Sequence, residues 1–231
     1  MGFGNLFQRN FKKSHEKSLE WYTKGNRFFD LGNYDESLGC YDKAIELEPQ
    51  YLDALDQKGR ILEILDQLNL ALDCANKIVE ISPFRPLSWY NKGTVLLKLK
   101  RASDALECYD KFLELMPEGI IVWNNRGNAF EMLCRFDDAM DCYDKAIEQR
   151  FQDHFAWCNK GRLCIMLGRL NDALDCFNTA IEIEPKYIAA WSGKCLIYDK
   201  LGNVELSRNC CKKAKLLGIT EKQLESALFP K

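Results

Sequence analysis

The sequence predicts an all-α protein, an α-solenoid of antiparallel helix pairs, because three columns of residues recur in it every 34 positions. All five tryptophans fall in one column, at Trp21, Trp89, Trp123, Trp157 and Trp191. A glycine column holds Gly25, Gly59, Gly93, Gly127 and Gly161. A column of small residues holds Ser37, Ala71, Ala105, Ala139, Ala173 and Ser207. Columns that share one register mark tandem structural units, and stacked units present a long shared surface rather than a catalytic cleft.

Each unit is predicted to be two helices joined by a tight turn, as residues 18–51 illustrate. Trp21 and Gly25 lie four residues apart and therefore share one face of a first helix. Gly32 suits the left-handed conformation that ends a helix, and Pro49 marks the end of a second helix. Such a helical hairpin cannot bury both of its apolar faces alone, so neighbouring hairpins must cover them.

This pattern of Trp-x-x-x-Gly, followed by small, aromatic, alanine and proline positions at fixed offsets, resembles the tetratricopeptide repeat. The resemblance covers residues 18–221. The six expected repeats are 18–51, 52–85, 86–119, 120–153, 154–187 and 188–221. The resemblance implies a right-handed superhelix, in which the first helix of each repeat lines a concave groove that binds peptides or partner proteins.

Two segments lie outside the repeat register. Residues 1–17 carry Phe3 and Phe7 in an apolar pattern with basic residues nearby. This N-terminal extension has two interpretations, a cap or frayed end, and an amphipathic helix that contacts a membrane surface or a partner. Residues 220–231 begin with a capping-box pattern at Thr220, which predicts a C-terminal capping helix over the last repeat.

Charge and hydropathy favour a protein of the cytoplasm. The formal net charge is -2, which provides no general attraction to nucleic acid. No apolar run reaches the roughly 18 residues that cross a bilayer, and the N-terminus lacks the apolar core of a secretory signal. We therefore expect a soluble, cytoplasmic chain without a nucleic-acid partner.

The eleven cysteines are enough for a disulfide framework, but six of them form a further column at the repeat spacing. The six are Cys40, Cys74, Cys108, Cys142, Cys176 and Cys210. Equivalent positions on stacked hairpins lie about 10 Å apart, whereas a disulfide needs Cα atoms within about 7 Å. We expect free thiols that pack as small apolar groups, as suits a reducing compartment. The spacing of cysteine and histidine indicates no metal, and no other cofactor is expected.

The face of each first helix that lies opposite its packing face is the candidate binding surface. Position 6 of three consecutive repeats holds Asn91, Asn125 and Asn159. An amide group can donate to and accept from a peptide backbone, so these residues have two interpretations, contact with an extended peptide and a bond to a neighbouring helix. Aromatic residues and arginines at positions 5 and 9 are typical of binding hot spots. The candidate residues are Tyr22, Asn26, Asp56, Arg60, Tyr90, Asn91, Asn124, Asn125, Asn128, Asn159 and Arg162.

These features predict a non-catalytic scaffold that binds a peptide segment or a partner protein. His15 and His154 are the only histidines, and the sequence has no phosphate-binding loop, serine-nucleophile motif or zinc-protease motif. Asp53, Asp56 and Glu63 make the wall of the second repeat acidic, which favours a ligand with some basic character. Two alternatives remain, a membrane-surface adaptor recruited through residues 1–17 and an RNA-binding helical repeat, which the mixed charge of the face disfavours.

Overall fold

The structure, a computed structural model, describes the backbone of residues 3–218 and the side chains of residues 13–218. Over these residues the chain forms twelve helices and no strand, which confirms the all-α fold class. The helices are α1 (Phe3–Asp30), α2 (Tyr34–Leu47), α3 (Leu52–Ile64), α4 (Leu68–Ile81), α5 (Pro86–Lys98), α6 (Ala102–Leu115), α7 (Val122–Met132), α8 (Phe136–Gln149), α9 (His154–Met166), α10 (Leu170–Ile183), α11 (Ile188–Lys200) and α12 (Val204–Leu216). Each odd-numbered helix packs on the helix that follows it, so the described chain is a series of six helical hairpins.

The chain divides into two compact units, Met1–Pro117 and Glu118–Lys231. Unit 1 contains α1 to α6, and unit 2 contains α7 to α12. Within unit 1, α2 packs on α3 and α4 packs on α5. Within unit 2, α8 packs on α9 and α10 packs on α11, while α9 also contacts α7 and α11. In each unit the second helix of one hairpin therefore covers the first helix of the next, as the repeat pattern requires.

The first helix includes most of the N-terminal extension. It runs over Phe3–Asp30 with no break at the boundary expected after residue 17. The Ser14 hydroxyl donates to the Leu47 carbonyl over 2.9 Å, and the Ser18 hydroxyl donates to the Glu48 carboxylate over 2.7 Å. The last residues of the extension are therefore held against the end of α2.

Glu48 is the centre of this contact. Its carboxylate also lies 2.9 Å from Nδ1 of His15. Burial acts to raise the pKa of Glu48, but the hydrogen bonds from Ser18 and His15 outweigh it, and the pKa is lowered. Both interpretations of the extension remain predictions, because the side chains of its first residues lie outside the described part of the chain. The capping helix expected at 220–231 lies outside it as well.

A glycine placed against an aromatic ring sets the distance between the two helices of most hairpins. A Cβ added to Gly25 would lie 2.6 Å from Cε1 of Tyr41, and one added to Gly93 would lie 2.5 Å from Cε1 of Tyr109. Both tyrosines are fully buried, so neither ring has room to move away. Ser37, from the column of small residues, fixes the same contact by donating to the Gly25 carbonyl over 2.8 Å.

One residue of the turn between the two helices of a hairpin adopts the left-handed conformation, whether or not that residue is glycine. Gly32 has a φ of 75° in the first turn. Asp66, Lys100 and Cys134 stand at the same position of later repeats and have φ values of 57°, 63° and 56°. A residue with a Cβ costs roughly 1–2 kcal/mol in this conformation, so the packing of the two helices imposes the turn on these three residues.

A contact between a lysine and the preceding hairpin recurs where hairpins stack. The lysine is the seventh residue of its repeat, and its partner is the twenty-fifth residue of the repeat before. The pairs are Lys58 with Asp42, Lys160 with Asp144, and Lys194 with Asn178. The first pair is 2.5 Å apart and the last is 2.7 Å apart. An acidic or amide oxygen at position 25 is therefore part of how one hairpin receives the next.

One pair of cysteines outside the cysteine column forms a disulfide that was not predicted from the sequence. A disulfide joins Cys195 in α11 to Cys211 in α12, with Cα atoms 5.3 Å apart. The distance that excludes a bridge applies to equivalent cysteines of different repeats, whereas these two face each other within one repeat. They occupy the positions of the glycine and the tyrosine that touch in other hairpins, where two helices approach closely. The six column cysteines are buried and free, as expected.

Candidate peptide-binding surface

The first-helix surface is defined here as the side chains at positions 2, 5, 6, 9, 12 and 13 of the first helix of each repeat. In unit 1 these positions lie on α1, α3 and α5, and in unit 2 they lie on α7, α9 and α11. All eleven candidate residues are on these helices, six in unit 1 and five in unit 2. The row of three asparagines at position 6 is divided by this boundary, with Asn91 in unit 1 and Asn125 and Asn159 in unit 2.

In unit 2 an amide pair links the first helices of two neighbouring repeats. Nδ2 of Asn159 in α9 donates to Oδ1 of Asn124 in α7 over 2.8 Å. One of the two expected roles, a bond to a neighbouring helix, is therefore present at Asn159. The bond uses one N–H of Asn159 and one lone pair of Asn124, so each amide keeps other groups that can bond to a ligand.

Next to this pair lies a buried carboxylate that sequence reasoning missed. The side chain of Glu131 in α7 is only 8% exposed and is paired with the guanidinium of Arg162, which is half exposed. A second bond joins Nη2 of Arg162 to Oε2 of Glu131 over 3.1 Å, so the contact is bidentate. The Tyr143 hydroxyl lies 3.0 Å from Glu131 Oε2 and 2.8 Å from Asn128 Oδ1.

This network fixes the orientation of Arg162. Burial, followed by the nearby charge of Glu131, raises the pKa of Tyr143, so its hydroxyl keeps its proton and remains a donor. An acidic residue at position 12, with an arginine at position 9 of the next repeat, is the sequence signal that would have found the pair. The candidate residues stand at positions 5, 6 and 9, so Glu131 at position 12 was not among them.

In unit 1 the acidic side chains are largely neutralised. Oδ2 of Asp56 lies 3.2 Å from Nη1 of Arg85, and Asn91 also bonds to this carboxylate. Burial nevertheless raises the pKa of Asp56, against the opposing effect of Arg85. Glu63 lies 2.7 Å from Nζ of Lys98. Arg85 and Lys98 of this chain therefore already pair with two of the acidic groups, Asp56 and Glu63. This pairing weakens the expectation of a basic ligand.

Aromatic side chains form the other part of the surface of unit 1. The ring of Tyr22 lies 5.2 Å from that of Tyr51 and 5.9 Å from that of Tyr41. Burial raises the pKa of Tyr51 to about 12. Asn26 accepts a hydrogen bond from the Tyr41 hydroxyl over 2.7 Å, and the guanidinium of Arg60 lies 5.1 Å from the centre of the Phe29 ring. Both polar candidates are therefore held by aromatic neighbours in the same unit.

Position 2 adds an exposed aromatic group in unit 2 that was not among the candidates. Phe155 in α9 is 52% exposed, and its ring lies 4.1 Å from His154 and 5.4 Å from Tyr187. Met132 in α7 and Met166 in α9, both at position 13 of the same surface, are also exposed. The amide pair and the Arg162 ion pair of unit 2 therefore lie on helices that also expose apolar side chains.

The chemistry of this surface is that of hydrogen bonding and apolar contact. Its amides and its arginine are oriented by partners within the chain, which lowers the entropy lost when a ligand binds. Among the residues that the structure describes, no group of three or more His, Cys, Asp or Glu side chains is arranged to hold a metal ion. Within the same residues, none of the helices has the length and the apolar content needed to cross a bilayer.

Comparisons with known families identify the repeat. Residues 120–152 and 154–187 match a family model described as Tetratricopeptide repeat. Residues 86–118 match a second model with the same description, and residues 25–63 match a TPR repeat model. A TPR repeat-containing protein of Methanocaldococcus jannaschii is 53% identical over 38 residues, which is 16% of this chain. The match spans only 11% of the length of that curated relative.

Solved structures with a similar fold cover most of the chain. PilW, described as a widely conserved type IV pilus biogenesis factor, aligns with a TM-score of 0.79 and 18% identity, over 92% of this chain and 98% of its own. MamA 41-end from Desulfovibrio magneticus RS-1 aligns with a TM-score of 0.67 and 20% identity, over 74% and 97%. YrrB, described as a TPR protein with an unusual peptide-binding site, aligns with a TM-score of 0.56 and 21% identity, over 81% and 96%. Identities this low show a shared fold alone.

Proposed function

Because the chain belongs to the tetratricopeptide repeat family, we propose that it is a non-catalytic scaffold that binds an extended peptide segment of a partner protein on its first-helix surface. The observation that carries the proposal is the arrangement in unit 2, where the Asn159–Asn124 amide pair, the Arg162–Glu131 ion pair and the exposed Phe155 lie on two neighbouring helices. Oriented amides suit the alternating donors and acceptors of an extended backbone, and the apolar groups suit its side chains.

The pairing of charges supports a ligand that is recognised mainly through its backbone and its apolar side chains. Glu131 neutralises Arg162 in unit 2, while Arg85 and Lys98 neutralise Asp56 and Glu63 in unit 1. A strongly charged ligand would have to displace these partners, whereas a backbone amide would not. YrrB, which shares the fold and is described as a TPR protein with an unusual peptide-binding site, provides an example of a peptide ligand on this fold.

A peptide-display selection against the full chain tests the proposal. Peptides that bind are synthesised with a fluorescent label and titrated against the wild type and against a variant with Asn124→Ala, Asn125→Ala and Asn159→Ala, all in unit 2. A hydrogen bond contributes about 0.5–1.5 kcal/mol, so the loss of three should weaken binding about tenfold or more.

The matched control replaces three exposed amide residues of second helices by alanine, at Asn69, Gln149 and Asn171. Affinity of the control variant should stay within about twofold of wild type, because these side chains lie on α4, α8 and α10 rather than on the first-helix surface. Equal affinity of the first variant and the wild type for the selected peptides would refute the assignment of the surface. The thermal unfolding of each variant is also measured, so that a loss of binding is distinguished from a loss of folding.

A further inference from the structure

The second helix of the last described hairpin differs in charge from every other second helix. α12 contains four basic residues and a single acidic one. The second helices α2, α4, α6, α8 and α10 each contain at most one basic residue and more acidic than basic side chains. The repeat pattern alone does not require this reversal, because the buried positions of α12 keep the usual small residues Ser207 and Ala214.

The basic residues of α12 form a continuous exposed stripe. Arg208, Lys212 and Lys215 follow one another at spacings of four and three, so they share one face of the helix, and all three are exposed. Basic residues in a last helical turn are favoured by the helix dipole. That effect does not extend to Arg208, which lies near the middle of α12. The stripe spans about 10 Å, which suits a short segment of a partner.

Lys212 places a positively charged donor at a position where other repeats have an acceptor. It stands at position 25, where Asp42, Asp144 and Asn178 accept a bond from the lysine of the next repeat. A lysine here cannot accept such a bond, and it would repel an incoming lysine. The exposed side of α12 is therefore suited to an acidic segment and not to a further hairpin of the internal type.

An open cavity with a tryptophan in its wall lies beside the stripe. It has a volume of about 580 Å³ and is lined by Trp191, Leu217, Lys186 and Lys213, together with neighbouring residues. Nζ of Lys213 lies 6.0 Å from the centre of the Trp191 ring, and the disulfide of Cys211 ties α12 to α11 beside it. The cavity therefore combines an apolar wall with basic side chains.

From these observations we infer that the exposed face of α12 and the Trp191 cavity form a docking surface for an acidic segment of a partner protein, with one apolar or aromatic side chain of that segment in the cavity. Charge complementarity selects the acidic segment. A long polyanion such as nucleic acid fits less well, because α8 and α10 in the same unit are acidic. This surface is separate from the first-helix surface and does not depend on the proposed peptide site.

Fluorescence anisotropy on the full chain tests the inference. The probe is a fluorescein-labelled peptide in which glutamates flank one phenylalanine. Two control peptides carry lysine in place of every glutamate, or serine in place of the phenylalanine. The variant has Arg208→Gln, Lys212→Gln and Lys215→Gln. A matched control variant has Lys77→Gln, Lys100→Gln and Arg150→Gln, which makes the same change in net charge at three other exposed basic residues that lie outside the first-helix surface.

The acidic probe should bind the wild type and the control variant with similar affinity, and the α12 variant about tenfold more weakly. The affinity should fall as salt is added, and the lysine peptide should not bind. If both variants lost the same affinity for the acidic probe, net charge alone would explain the effect and the inference would be overturned. The absence of binding to the wild type would overturn it as well. Equal affinity of the serine peptide would overturn the role of the cavity.

Three further arms identify other occupants of the surface. Removal of residues 220–231, the predicted capping helix, tests this chain's own C-terminal segment. An acidic probe that bound only after this removal would assign the surface to that segment and overturn the acidic partner. A labelled single-stranded RNA that bound more tightly than the acidic peptide, with the same loss in the α12 variant, would overturn the inference in favour of nucleic acid. Sedimentation of the wild type and the α12 variant tests a second copy. Self-association that only the wild type shows would assign the surface to another molecule of this chain and overturn the acidic partner.

Discussion

The contact between glycine and tyrosine inside a hairpin leads to a prediction in which the same substitution has opposite effects at two equivalent positions. Gly59 and Gly93 both occupy position 8 of a repeat in unit 1. A Cβ on Gly93 would lie 2.5 Å from Cε1 of the buried Tyr109. A Cβ on Gly59 would find only Cβ of Cys74 at 3.5 Å, an ordinary van der Waals distance.

The magnitude follows from two opposing effects. Replacing a helical glycine by alanine gains about 1 kcal/mol of helix propensity, and this gain is the same at both sites. Overpacking a filled core costs about 1–3 kcal/mol, and this cost applies only at Gly93. Gly59→Ala should therefore raise the free energy of unfolding by up to about 1 kcal/mol, whereas Gly93→Ala should lower it by up to about 2 kcal/mol.

Urea unfolding of the full chain, followed by circular dichroism, measures both values. Gly39→Ala is a third variant, because Gly39 lies in α2 and an added Cβ meets nothing within 4 Å. It should reproduce the propensity gain alone. If Gly59→Ala and Gly93→Ala changed the stability equally, the ring contact would not be what holds glycine in this column.

Three further predictions concern the turn, the N-terminal contact and the thiols. Lys100→Gly should raise the free energy of unfolding by up to about 1 kcal/mol, measured by urea titration, because glycine removes the left-handed strain but adds freedom to the unfolded chain. The pKa of Glu48 is lowered on folding, so its stabilising effect is present above the unfolded pKa and is lost as the pH falls through the folded pKa. Glu48→Gln should therefore destabilise the chain at neutral pH and have no effect at acidic pH, and an equal effect at both would contradict the lowered pKa. Alkylation of the native chain followed by mass spectrometry should modify the exposed Cys134 first, and should reach Cys195 and Cys211 only after a reductant has been added.

The sequence determined the helical hairpins because the residues that make each helix pack and end all lie within one repeat of 34 residues. The tryptophan and glycine columns define the packing face of a first helix, and the turn position and the proline mark where helices end. The left-handed turn shows how strong this local specification is. Lys100 and Cys134 adopt the same φ as Gly32, because the helices on both sides of the turn fix its geometry.

The sequence also placed the candidate residues on the right helices, but it did not determine their partners. Asn159 was identified from its column, whereas its bond to Asn124 depends on how two first helices lie side by side. Glu131 was not among the candidates, which stand at positions 5, 6 and 9, and its contact with Arg162 depends likewise on how two first helices lie side by side. Side-chain pairing between repeats depends on the stacking distance and on rotamers, which a period of 34 residues does not contain.

The cysteines show the same division most clearly. Their spacing along the sequence correctly separated the six column cysteines from one another, since stacked hairpins keep equivalent atoms too far apart for a bond. Only the tertiary structure revealed that Cys195 and Cys211 meet across one hairpin. The sequence thus determines which residues share a helix face, because helix geometry is local. The structure decides which faces touch and how closely, because that distance is set by all the side chains packed between two helices at once.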